Sequence, residues 1–303
     1  MSTNKQNNKG LQLFFAAVPL LISFLISLIA FFAAVFIHGA VLHTEMTSAE
    51  VADDGLVYLI SYSLMIIVFG FWYTMILQER APFSAKTEKP EEGSGKKKGN
   101  GKSESEKNES ARTGKKKEKP WNPVKYWATR LPILFVIGYG LQLCVSALIA
   151  ILSTAFPSAF ASYKELIQSL AGSDIDVMTF IAVSFLAPIG EELMFRGVTF
   201  HYAKGALQIK SAILLQAVLF GVYHLNLIQF VYALVIGYLL GMLADRSGSV
   251  IPGIVLHMII NLSAYLIPGI FIDNIPKAAL SAALALGIVI PCLIVMLRKK
   301  KAR

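Results

Sequence analysis

Long apolar runs alternate with short polar stretches along this chain, and the alternation predicts a set of membrane-crossing helices. A hydrocarbon core about 30 Å thick is spanned by about 20 predominantly apolar residues in a helix. Runs of that kind fall at 12–41, 56–77, 131–152, 177–200, 211–225, 228–243, 250–267 and 278–297, the fifth and sixth being the shortest. The fold class expected is all-α, a polytopic membrane helical bundle of about eight transmembrane helices. The run at 12–41 is too long for the apolar part of a signal peptide, and no small-residue cleavage site follows it. The stretch 154–176 mixes polar and apolar residues without a long run and reads as a loop.

One stretch breaks the pattern altogether. Residues 79–125 are rich in Lys, Glu, Ser, Gly and Asn, with lysine triplets at 96–98 and 115–117, a composition that cannot bury a core and predicts a disordered linker. It divides the chain into an N-terminal helix pair (1–78), the basic linker (79–125) and a C-terminal bundle (126–303).

Composition agrees with the pattern. Of 303 residues, 55% are hydrophobic and 16% charged, against about 25% charged in soluble domains. The net charge of +9 gathers in the linker and at the chain ends, a distribution that sets topology and favours anionic lipid head groups. No basic motif interleaved with aromatics accompanies it, so nucleic acid is not an expected partner. Eight crossings with both termini cytoplasmic put every Lys/Arg-rich connection inside and the acidic stretch 44–55 outside, as in a multi-pass protein of the cell membrane. Cys144 and Cys292 lie inside runs without metal-ligand spacing and read as packing residues.

The chemistry sits in three apolar runs. The fourth contains Glu191-Glu192-Leu-Met-Phe-Arg196. A charge near the bilayer centre costs about 3 kcal/mol on insertion scales, so ionisable residues there mark function and need partners. Glu192 and Arg196 are four apart on one helical face, in the favourable order for an ion pair. That leaves Glu191 without a local counter-charge and suits it to activate water as a general base, with Glu192 and Arg196 in orienting roles. His257 and Asn261 are likewise four apart; both side chains can donate hydrogen bonds and suit a developing oxyanion. His224, on a further run, is a candidate to orient the water or shuttle a proton. At 1.5 Å per residue these groups fall within about one turn of the midplane. Phe220 reads as core, and His38, His43 and His201 as interfacial or structural.

In order, Glu191-Glu192-x-x-x-Arg196, Phe220-x-x-x-His224 and His257-x-x-x-Asn261 resemble the motifs of the CPBP family, which comprises CAAX prenyl endopeptidases and Abi-type proteins of bacteriocin processing and immunity. The resemblance covers about residues 127–267. It implies an intramembrane endopeptidase in which Glu191 and His224 activate the water, His257 and Asn261 stabilise the tetrahedral intermediate, and Arg196 holds the glutamates. The implied partner is a peptide or protein substrate, membrane-anchored ones included. Family members are often labelled metalloproteases; if zinc is used, Glu191, His224 and His257 would be its ligands. The glutamate-and-water scheme needs no metal and is preferred, since no HExxH helix is present. Two other classes fit the same residues: a non-catalytic scaffold or immunity protein, and a proton-coupled transporter.

Overall fold

The computed structural model describes residues 2–44, 46–52, 54–80, 123–170, 176–266 and 274–298. Nearly all of the expected linker, and residues 267–273, lie outside the described residues. Helix α1 (Ser2–Phe36) runs into a π turn (Ile37–Val41) and is followed by the short α2 (Ser48–Ala52) and by α3 (Gly55–Arg80). Beyond the linker come α4 (Pro123–Ala155), α5 (Pro157–Leu170), the composite α6 (Val177–Ala206), α7 (Ile209–Tyr223), α8 (Leu227–Ser247), α9 (Ile251–Leu266) and α10 (Ile275–Leu297).

The burial pattern is that of a bundle in lipid. Large apolar side chains such as Leu21, Phe32, Phe71, Leu280 and Leu284 stand exposed on the outside, while small or polar ones such as Ala16, Ser23, Ala30 and Ala34 are buried between helices. Water would penalise that arrangement; a bilayer does not, and small residues let helices approach closely there. The protein is therefore a membrane protein with an all-α bundle.

Among the described residues, six helices are long and apolar enough to cross, at Asn8–Val41, Gly55–Glu79, Thr129–Ala155, Val177–Ala206, Leu227–Ser247 and Ile275–Leu297. Helices α7 and α9 are shorter, 15 and 16 residues, or about 22–24 Å at 1.5 Å per residue. The eight expected crossings thus become six of full length and two short apolar helices. The shortness of α7 has a local cause. Its chain turns back at His224–Asn226, with Leu225 in the left-handed region (φ 52°) and the Asn226 side chain accepting hydrogen bonds from the amides of Ile228 and Gln229 to start α8.

The expected loop at 154–176 is also corrected: most of it is α5. Pro157 occupies the first helical position, where its missing N–H costs nothing. Phe160 and Tyr163 pack inward, Tyr163 against Tyr232 of α8, while Lys164, Glu165 and Gln168 face outward. That is the i, i+3 spacing of an amphipathic helix lying along the bundle.

Helix α6 is the centre of the molecule, packed against α1, α3, α7, α8 and α9. It is not a regular helix. Two π segments, Ala182–Leu186 and Leu193–Thr199, flank the α turn Ala187–Glu192. Such π turns inside α-helices occur frequently at functional sites. One apolar core joins α4, α5, α8, α9 and α10; a second joins α1, α3, α6, α7 and α8. The glutamates lie where the two meet.

Candidate active site

Both glutamates are buried, Glu191 at 3% exposure and Glu192 at 0%, as are Arg196 and His257. The ion pair expected from the i, i+4 spacing is made: Arg196 Nη1 stands 2.9 Å from Glu192 Oε1. Arg196 Nη2 also donates to the Gly237 carbonyl of α8 at 3.2 Å, an oxygen that accepts from Gln216 Nε2 at 2.8 Å as well. The guanidinium lies over the Phe220 ring, 4.5 Å from its centre, adding a buried cation–π contact. Arg196 is therefore held from three helices, and it holds Glu192.

His257 enters from α9 between the two carboxylates. Its Nδ1 lies 3.1 Å from Glu192 Oε1 and its Nε2 lies 3.7 Å from Glu191 Oε2. Glu192 thus fixes the imidazole through one nitrogen and leaves the other facing Glu191. Two carboxylates, one guanidinium and one imidazole share this volume, so the cluster is neutral when it carries one proton more than its two carboxylates and arginine account for.

This packing needs Gly253. A Cβ there would stand 2.6 Å from Glu192 Oε2, whose carboxylate occupies the space over the glycine.

The remaining expected residues are nearby in different ways. His224 caps the end of α7 and meets the cluster through aromatic edges: its ring lies 5.0 Å from that of Phe220, which in turn lies 5.7 Å from His257. The imidazole next to Glu191 is that of His257, not His224. Asn261 reaches into the first π segment of α6, donating from Nδ2 to the Val183 carbonyl at 2.9 Å. Phe220 is core, as expected, but a core residue that all three cationic or imidazole groups touch.

Among the described residues no group of three His, Cys, Asp or Glu side chains is arranged to hold a metal ion. The set Glu191, His224 and His257 does not assemble, because the His224 ring packs on Phe220 and Tyr223 and both His257 nitrogens face carboxylates.

Sequence reasoning missed several members. Gln216 carries a signal, a polar residue in an apolar helix four positions before Phe220; Gly253 does too, four before His257 and so on its face. Tyr62 of α3 and Tyr223 of α7, both beside Glu191, look like ordinary membrane tyrosines in the sequence.

Residues 173–263 match the Rce1-like family, type II CAAX prenyl endopeptidases. No curated protein and no solved structure gives a match. The Rce1-like segment runs from the start of α6 into α9 and contains Glu191, Glu192, Arg196, His224, His257 and Asn261. It is similar to a protease family, in agreement with the CPBP resemblance. Helices α1–α5 and α10 lie outside it.

Proposed function

We propose that this protein is an intramembrane endopeptidase in which Glu191 activates a water molecule. The observation that carries the reading is the buried carboxylate–imidazole–carboxylate–guanidinium array deep in an apolar bundle, an arrangement too costly to keep for packing alone.

The gap of 3.7 Å between Glu191 Oε2 and His257 Nε2 is wide for a direct hydrogen bond, and a water bonded to both at about 2.8 Å fits beside it. Glu191 takes a proton from that water as its oxygen attacks the scissile carbonyl carbon. The C–O bond forms, and negative charge moves to the carbonyl oxygen. His257 and Asn261 are the donors assigned to that oxyanion; the Asn261 amide carries two protons, of which the bond to Val183 uses one. The C–N bond then breaks, and the proton passes from Glu191 to the leaving amine, with His224 as the shuttle toward the turn between α7 and α8. Glu192 and Arg196 orient His257 and do not touch the reacting atoms.

The substrate is a peptide or protein, including one anchored in the membrane, and the site lies in the multi-pass bundle with both termini and the basic segment 79–125 on the cytoplasmic side, where that segment contacts anionic head groups. The test is incubation of the detergent-purified full chain with a library of membrane-anchored peptides, products being read by mass spectrometry with and without chelator. Site-specific cleavage that survives chelation is the expected result; no cleavage of any peptide would remove the reading.

A further inference from the structure

The helix that lies against Glu191 from outside the Rce1-like segment is α3. Its approach is close: a Cβ on Gly190 would stand 3.2 Å from Met65 Cβ, so the glycine before the glutamates admits this helix against α6. One turn from Met65, Tyr62 lies beside Glu191 and Tyr223, its backbone oxygen 3.7 Å from where a Gly190 Cβ would stand. Tyr223 in turn donates to Met65 Sδ at 3.6 Å and sets its ring edge-on to Phe195 and to His224.

Glu191 has two oxygens to satisfy in a site with no bulk water. His257 faces Oε2, Glu192 is tied to Arg196 and His257, and neither supplies Glu191 with a short neutral donor. A tyrosine hydroxyl carries one proton; for the one on Tyr62 to go to the Glu191 carboxylate, Tyr223 either keeps its own on Met65 Sδ, as here, or turns it to the Tyr62 oxygen. We infer that Tyr62, on the second span, is the positioning residue that fixes the Glu191 carboxylate in line with the water, and that the catalytic site is incomplete without α3. The inference rests on the endopeptidase reading for its consequence but not for the contact itself.

Two measurements separate these. The contact is read without substrate, from a double-mutant cycle on the apparent melting midpoint of the full chain in detergent. Tyr62→Phe is expected to lower the midpoint by about 3–5 °C when Glu191 is present, the size of a hydrogen bond to a charged group in a protein this large. In a Glu191→Met background, which keeps bulk and removes the acceptor, it should lower it by less than about 1 °C. Glu191→Gln, a weaker acceptor, should give an intermediate drop and serves if the methionine variant does not fold. The role is read from kinetics on a cleaved peptide: Tyr62→Phe should reduce kcat about 10- to 100-fold with KM within about twofold of wild type, and Tyr223→Phe should reduce it less. Equal melting losses in all backgrounds, a loss confined to KM, or a larger kcat loss for Tyr223→Phe would each overturn the assignment to Tyr62. A wild type that cleaves nothing would overturn the function while the melting cycle still decides the contact.

Discussion

Glu192 shows how a single fully buried carboxylate is used. Oε1 serves both Arg196 and His257, at 2.9 and 3.1 Å, and Oε2 rests in the space over Gly253. Adding one methyl there forces the carboxylate away from both partners, because neither the guanidinium nor the imidazole has room to follow. Gly253→Ala is expected to cost about 1–3 kcal/mol of stability, the range for overpacking a filled interior, and to lose most activity; melting midpoint and peptide cleavage measured together check it. The ion pair Glu192–Arg196 and the neighbouring pair His257/Asn261 were legible in the sequence because helical spacing alone puts residues four apart on one face. The His257–Glu192 contact was not legible, since it joins residues 65 positions apart, and nothing in either local pattern specifies how α6 and α9 are rotated against each other.

At the scale of elements, the irregularity of α6 matters most. A regular α-helix was the natural reading of its apolar run, and its position along the chain was read correctly, but nothing in the hydropathy pattern marks its two π segments. Asn261 shows the consequence, its amide bonding the Val183 carbonyl inside the first π segment. The amphipathic α5 was within reach of pattern reading: Phe160 and Tyr163 have the spacing, and Pro157 marks the start. The mixed composition of 154–176 hid it. The start of α6 is set by Asp176, whose carboxylate accepts hydrogen bonds from the Thr179 hydroxyl and the amides of Thr179 and Met178. Slight burial pushes this carboxyl up, but those donors outweigh it and hold it below its ordinary value. A carboxyl lowered in the folded state adds stability that is complete above its unfolded value and lost as pH falls, here from about pH 4 downward. Asp176→Asn, which keeps a capping oxygen but not the charge, should therefore be slightly less stable than wild type at pH 7 and lose less stability between pH 4 and pH 3; Asp176→Ala should be weaker by about 1 kcal/mol at pH 7. Melting midpoints across that pH range check both.

For the whole molecule, the helix order sets which ends share a face. Helices α7 and α8 pack as an antiparallel pair joined at His224–Asn226, so the turns at Leu207–Gln208 and at Gly248–Ser249 fall on one side of the bundle however deep the short helices reach. If the Lys/Arg-rich connections lie inside, as proposed, single cysteines placed at Gln208 and Ser249 should react with a membrane-impermeant maleimide only after the membrane is opened, and one at Glu50 should react in intact cells. Reaction of all three in intact cells would refute the assigned orientation. The apolar runs made the bundle legible, and the gap between the runs at 211–225 and 228–243 fell on the turn His224–Asn226 that separates α7 from α8.

The central claim is that Glu191 is the base. Glu191→Gln keeps the side-chain shape and removes the proton acceptor, so it separates chemistry from packing. Wild type and variant, purified alike and with similar melting midpoints, would be given the same membrane-anchored peptides. The expected result is cleavage by wild type and a loss of at least about 1,000-fold in kcat for the variant, the scale of removing a general base together with the nucleophile it generates. Equal cleavage by the two proteins would contradict the account.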